Sequence, residues 1–282
     1  GVDLPLVVID AGGDVDHGAS FDLFARINAW PGDRGKGATG ADSATAAWCN
    51  KVNAGSTASA IVETPSGEDR MRGYFGSAQV QALQRARDAE VAELRDRPGA
   101  VVHARAFSSD DPEALGWDRL RDVMAREGIV TLRGVGPEVV ERATRELSEF
   151  SPNLHHWDIF RADAETLRAV CGPLAAAPLP GTLTRLSVDA LTDDVVHAVQ
   201  AFLDGHGVSP FSRDALTGRL FPARLVVITH RDGRIAAAGF AGMTHNRFSP
   251  FHRDAWVGLI AVDPELRGLG LGRQVDAITN LE

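Results

Sequence analysis

The sequence predicts a mixed α/β protein, and three observations carry that. Short β-prone runs such as Leu225-Val226-Val227-Ile228-Thr229 alternate with amphipathic stretches long enough for helices. Helix starts and stops are punctuated by Asp, Ser, Pro and Gly. The chain is globular in composition, 44% hydrophobic and 24% charged over 282 residues, enough for one large or two modest domains with a buried core.

The chain divides into three regions by pattern. Residues 1–99 are the least regular. Leu6 to Ile9 suits a buried strand, Phe21 to Trp30 a short helix, and Pro31 to Ala47 a long loop poor in packing residues. From 77 to 97, Val80, Leu83, Ala86, Val91 and Leu94 recur at near-helical spacing, and Pro98-Gly99 stops the helix. Residues 100–180 read as a small α/β region. A strand is expected from Ala100 to Phe107, one helix from Pro112 to Glu127 closed by Gly128, a strand at Ile129 to Leu132, and a helix from Pro137 to Phe150. A strand at Leu154 to Phe160 and a helix from Ala162 to Cys171 follow, then an Ala/Pro-rich linker from Leu174 to Gly181.

Residues 181–282 form the third region. Leu183 to Val188 alternates like a half-buried strand, and Thr192 caps a helix running to Leu203 before Gly205. A short helical piece follows Ser212. The strand Leu225–Thr229 then turns at Asp232-Gly233 into a second strand, Ile235 to Met243, as in a hairpin. Ala255 to Val262 is a third strand, and Gly268 to Asn280 a helix.

Charge and cysteine content narrow the function. A net charge of −9 argues against general nucleic-acid affinity. No run of about 20 apolar residues predicts a membrane span, and no signal peptide is visible at Gly1 to Pro5. Cys49 and Cys171 are too few and too far apart for a disulfide framework or zinc site, so they are expected as reduced thiols of a cytoplasmic protein. Lysine occurs only at Lys36 and Lys51 beside many arginines, alanines and glycines, a composition typical of GC-rich bacterial genes.

The segment richest in chemistry is Val262-Asp263-Pro264-Glu265-Leu266-Arg267-Gly268-Leu269-Gly270-Leu271-Gly272-Arg273. A strand runs into a turn and then a helix opened by alternating glycines. A helix N-terminus presents unpaired N–H groups and partial positive charge, and glycines admit a phosphate close to the backbone. Arg267 and Arg273 add charge-assisted contacts. A Walker loop is excluded because no Gly-Lys-Ser/Thr occurs here, and an antiparallel hairpin upstream is unlike a Rossmann first turn.

Arg267 to Gly272 is similar to the signature Gln/Arg-x-x-Gly-x-Gly/Ala of GNAT-type acetyltransferases, and the order of elements from Thr182 onward resembles that fold. The resemblance implies a GNAT-like core in residues 181–282 that binds acetyl-CoA as co-substrate. Arg267, Gly268, Leu269, Gly270, Leu271, Gly272 and Arg273 would grip its pyrophosphate, with Ile260 and Val262 beside its pantetheine arm. It implies acetyl transfer to an amine of a small molecule or peptide, with no metal. A family member continues past this turn through a strand, a helix and a closing hairpin that form the other wall of the cleft. Here that wall would come from downstream residues, the N-terminal region or another chain, so a homo-oligomer is one arrangement. The Asn-containing segment Val52 to Ser56 bears a faint likeness to part of it. The family's tyrosine acid has no counterpart, because the single tyrosine is Tyr74.

Catalytic candidates near the cleft are His252 and Asp254, with His245 and Glu265 behind them, although solvated loop histidines and a helix-start glutamate account for the same residues. Asp10, Asp14, Asp16 and His17 form an acidic cluster faintly resembling a ureohydrolase metal site. Gly12-Gly13 stand where that pattern needs a histidine, and a solvated turn is the preferred reading. His155 and His156, adjacent on a strand, would point to opposite faces and not chelate together. Two other functions stay open: a non-catalytic coenzyme-A-binding module of the same fold, and a bifunctional enzyme with separate N-terminal chemistry.

Overall fold

A computed structural model describes residues 4–11 and 73–282. It is a mixed α/β protein with two open sheets and flanking helices. The expectations placed on Asp14, Asp16, His17, Phe21 to Trp30, Pro31 to Ala47 and Val52 to Ser56 lie outside the described residues.

The first sheet has five strands in the order β2-β3-β4-β1-β5: β1 (Leu4–Ala11), β2 (Ala100–Val101), β3 (Phe107–Ser109), β4 (Ile129–Arg133) and β5 (Pro152–Ile159). Strands β3 and β4 run parallel, and the other neighbours antiparallel. β1 lies between β4 and β5, pairing Val8 with Thr131 on one side and with His155 on the other. Strands from the first two sequence regions thus share one sheet.

The helices of this half are α1 (Ala78–Asp96), α2 (Pro112–Leu115), α3 (Trp117–Glu127) and α4 (Pro137–Glu146). Ser77 caps α1 by accepting from the Val80 amide. Its buried face is more polar than the apolar spacing suggests, because Gln84 and Arg87 are buried with partners. Gln84 Nε2 donates to the carbonyls of Phe75 and Pro210, and Arg87 reaches Glu127 at 2.6 Å. The single helix expected from Pro112 to Glu127 is broken at Gly116, whose φ of 96° no helix residue adopts. The strand expected over Ala100 to Phe107 is two short strands. Between them the Val102 amide donates to the Thr244 carbonyl across to the other half of the molecule.

The second sheet is fully antiparallel, in the order β6-β7-β8-β9: β6 (Thr184–Arg185), β7 (Ala223–Thr229), β8 (Ile235–Gly242) and β9 (Trp256–Val262). Around it lie α5 (Ala164–Ala176), α6 (Asp193–Gly205), α7 (Arg213–Leu216) and α8 (Leu271–Asn280). Helix α5 continues through Gly172-Pro173 to Ala176, so the expected linker begins later than Leu174. The expected strand over Leu183 to Val188 reduces to Thr184 and Arg185.

Both faces of β7 are buried, which explains its unbroken apolar run. Leu225 and Val227 enter a core shared with Leu94, Phe107 and Leu120 of the first half, while Val226 and Ile228 pack under α8 with Leu271, Val275 and Ile278. Leu271, Val275 and Ile278 recur at helical spacing. Burying each side chain contributes about 2 kcal/mol, so they fix α8 against the sheet. Among the described residues no helix is long and apolar enough to cross a membrane.

Candidate functional site

The glycine turn connects β9 to α8. Asp263 closes it by accepting from the Glu265 amide at 2.9 Å, and its own amide donates to the Ala236 carbonyl. Gly268 and Gly270 have φ of 82° and 79°, the left-handed region that favours glycine. A Cβ at either position would meet no atom within 4 Å, so both glycines serve the backbone path and leave its outer side open. Gly270 is the N-cap of α8, its carbonyl accepting from the Gln274 amide at 3.1 Å. The amides of Leu271, Gly272 and Arg273 then lie in the first turn, where helix geometry provides no intrahelical acceptor. No acidic residue occupies that turn, while Arg267 and Arg273 are exposed beside it. This arrangement suits an anion.

The expected coenzyme contacts divide by type. The Leu271 side chain is buried in the core, so only its backbone faces the turn, whereas Leu269 projects into solvent. Ile260 is buried under α8 and Val262 is half-buried, so each offers backbone. That backbone lies on the outer edge of the sheet, since β9 has β8 on one side and no strand on the other among the described residues.

The edge is irregular. Phe240 pairs with Gly258 and Ala238 with Ala261, so Leu259 and Ile260 together face Gly239. Leu259 has a φ of 51°. This is a β-bulge, which leaves a residue outside the ladder and re-aims the strand. The glycine opposite it is required. A Cβ on Gly239 would come within 2.3 Å of Thr279 Oγ1, because α8 crosses the strand there.

The segment leading into β9 holds the catalytic candidates. Asn246 Nδ2 lies 2.7–2.9 Å from the carbonyls of Leu94, Arg97 and Ala100, which ties the segment to the end of α1. His245 Nδ1 is 2.8 Å from Asp110 Oδ2 and 3.2 Å from Ser249 Oγ. His252 is exposed, with Nδ1 2.9 Å from the Ser249 carbonyl. Asp254 pairs with Arg161 at 2.6 Å, and Arg161 stacks on Phe251. His245, His252 and Asp254 therefore all have partners. Glu265 is exposed in the turn itself.

A second constellation has no local signature in the sequence. His103 and Arg133 are both buried, at 8% and 4% exposure, beside the aromatic rings of Phe211 and Trp256 and the guanidinium of Arg105. Burial brings both guanidiniums down to about 10, and the Arg105 charge adds to this at Arg133. Burial, then the charges of Arg133 and Arg105, hold the His103 imidazole well below its usual range and hence neutral. The available sequence signals were the His103-Ala104-Arg105 alternation and an arginine ending the apolar run Ile129 to Leu132. Neither says that the two meet.

Among the described residues no group of three His, Cys, Asp or Glu is placed to hold a metal ion. His155 lies over Trp157, two residues along the same strand, and His156 is adjacent in β5. Cys171 is a buried free thiol. No protein-family model, no curated protein and no solved structure matches the chain.

Proposed function

We propose that the protein is an acetyl-CoA-dependent N-acetyltransferase with a GNAT-like core in its C-terminal region. The observation that carries this reading is Gly270, left-handed and open, starting α8 at the end of the turn that follows a bulged edge strand. The coenzyme pyrophosphate would lie on the amides of Leu271 to Arg273, flanked by Arg267, and the pantetheine arm would follow the backbone of Val262 and Ile260. The amine of a small molecule or peptide then attacks the thioester carbonyl. A C–N bond forms, the C–S bond breaks, a base takes the ammonium proton and the departing thiolate is protonated. His252 and Asp254 are the candidates for the proton steps. The bulge at Leu259 would release backbone groups toward the thioester.

Titration calorimetry of the full chain with coenzyme A tests this. Saturable binding is expected, and none at about 1 mM ligand, where association is worth only about 4 kcal/mol, would overturn it. A second reading, a coenzyme-binding module without catalysis, is favoured by the engagement of Asp254 with Arg161 and of His252 with the Ser249 carbonyl. Coenzyme binding without thioester turnover across a panel of amines would select it.

A further inference from the structure

Among the described residues Arg133 is a buried cation without a counter-ion. Its exposure is 4%, its Nε has no hydrogen-bond partner, and among the described residues no carboxylate lies within ion-pair distance. The acid whose charge bears on it, Asp110, is engaged by His245 at 2.8 Å. Beside Arg133, His103 is 8% exposed and neither of its ring nitrogens has a partner. Two adjacent buried polar groups left unsatisfied are a costly arrangement, and folded proteins seldom keep one.

The aromatic neighbours compensate only in part. The Arg133 guanidinium carbon is 5.8 Å from the Trp256 ring centre, near the outer limit of a cation–π contact. The His103 ring stands edge-on to Phe211 at 5.1 Å and to Trp256 at 5.7 Å, contacts that leave its nitrogens unbonded. The Arg105 guanidinium lies over the Phe211 ring at 5.2 Å. The group combines aromatic rings, the Arg133 guanidinium and a neutral imidazole that can donate or accept a hydrogen bond. Recognition sites for anionic small molecules are built from such groups.

We propose that Arg133 and His103 form the floor of a binding site for a carboxylate on a small molecule with an apolar or aromatic body. The guanidinium fork matches a planar carboxylate, His103 supplies a hydrogen bond, and Trp256 and Phe211 hold the apolar part. Trp256 begins β9 and Val262 ends it. At about 3.3 Å per residue the strand carries the site about 20 Å from the glycine turn. The anion held here is therefore not the coenzyme pyrophosphate. Resting on the acetyltransferase reading, the site belongs to the acceptor, which makes the acceptor an amino-carboxylate.

The test is calorimetric and thermal-shift titration of the full chain without coenzyme A, using phenylacetate, inorganic phosphate and benzylamine as probes. Phenylacetate is expected to bind and benzylamine is not. Arg133→Met is expected to weaken phenylacetate binding by at least about tenfold. Its ligand-free melting temperature should be unchanged or raised, since an unpaired buried charge has been removed. Arg133→Lys keeps the charge without the fork, and His103→Phe removes the ring nitrogens; each should also weaken binding. No binding of phenylacetate at about 10 mM, or equal affinity in wild type, Arg133→Lys and His103→Phe, overturns the proposal. Binding of phosphate without phenylacetate overturns the carboxylate assignment. Coenzyme A titrated separately keeps the two ideas apart. Phenylacetate binding without coenzyme binding leaves this site standing and removes the acetyltransferase reading; the converse removes this site alone.

Discussion

His245 Nδ1 lies 2.8 Å from Asp110 Oδ2, and the Asp110 side chain is only 1% exposed. The pair joins the residue after β3 to the segment before β9, so it couples the two sheets. Removing one member takes away a hydrogen bond to a buried carboxylate, worth about 1.5–3 kcal/mol. Asp110→Ala is expected to lose about 2 kcal/mol of stability in urea unfolding. In a double-mutant cycle with His245→Phe the losses should be strongly non-additive. Additive losses would show that the two act independently.

Asp88 gives a pH dependence of definite sign. Its carboxyl is pushed from 3.8 up to about 6, mainly by burial, against hydrogen bonds from Ser212 and Tyr74 and with some repulsion from Asp214. Between those values the folded state holds a proton that the unfolded state has released. Stability from this group is present below about pH 3.8 and is lost as pH rises through 6. Asp88→Asn should therefore match wild type near pH 4. It should be more stable at pH 8 by about 1–2 kcal/mol, a figure reduced for partial solvent access. Chemical denaturation at the two pH values measures this, and a difference of the opposite sign would refute it.

His103 works the other way. Its folded pKa is depressed below the unfolded 6.5, so the unfolded state binds the extra proton and stability falls as pH drops below about 6.5. His103→Phe keeps the aromatic contact with Phe211 and removes the titration. The variant should lose less stability than wild type between pH 7 and 5.5, read from paired melting curves.

The elements that could be read from the sequence are those that local chemistry dictates. Asp232-Gly233 turned the β7–β8 hairpin, Thr192 capped α6 and Gly128 closed α3, each through its own backbone. The glycine turn was legible because positive φ leaves glycine in the sequence. Sequence and structure differ where tertiary partners decide. Val102 donates to Thr244 instead of extending a strand, and α5 runs on past Pro173 where α8 packs against it. The His103–Arg133 site was illegible because Arg133, Phe211 and Trp256 are far apart in the chain, and no local spacing brings them together.

The glycine turn separates charge from shape at one position. Gly270 is left-handed, a conformation that Asn and Asp tolerate better than other residues with a Cβ, and a Cβ there meets nothing. Gly270→Asn and Gly270→Asp should each cost about 1 kcal/mol of folding. They should differ in coenzyme binding, because only Asp places a negative charge at the helix N-terminus. At least about tenfold weaker coenzyme A binding by the Asp variant than by the Asn variant is expected. Equal affinity would mean that phosphate does not lie on this turn.

Residues 182–282 expressed alone should not fold as a soluble monomer. Phe211, Leu203, Phe240 and Leu225 share their core with Leu94, Phe107 and Leu120, so excision exposes a contiguous apolar face on one side of the second sheet. It also strands polar groups. Asn246 loses the carbonyls of Leu94, Arg97 and Ala100, and Gln200 loses the Gly73 carbonyl. The open edge of β9 adds unpaired backbone to that face, a template for aggregation. The N-terminal half is interdependent in the same way, since β5 is held in its sheet by β1 and has no other strand beside it among the described residues. Deleting residues 1–11 should free β5 and expose β4. Size-exclusion chromatography and thermal melts of the full chain, the 182–282 fragment and the 1–11 deletion test both points. A fragment that is monomeric and melts cooperatively would show that the second sheet is an autonomous domain and that the shared core contributes little to it.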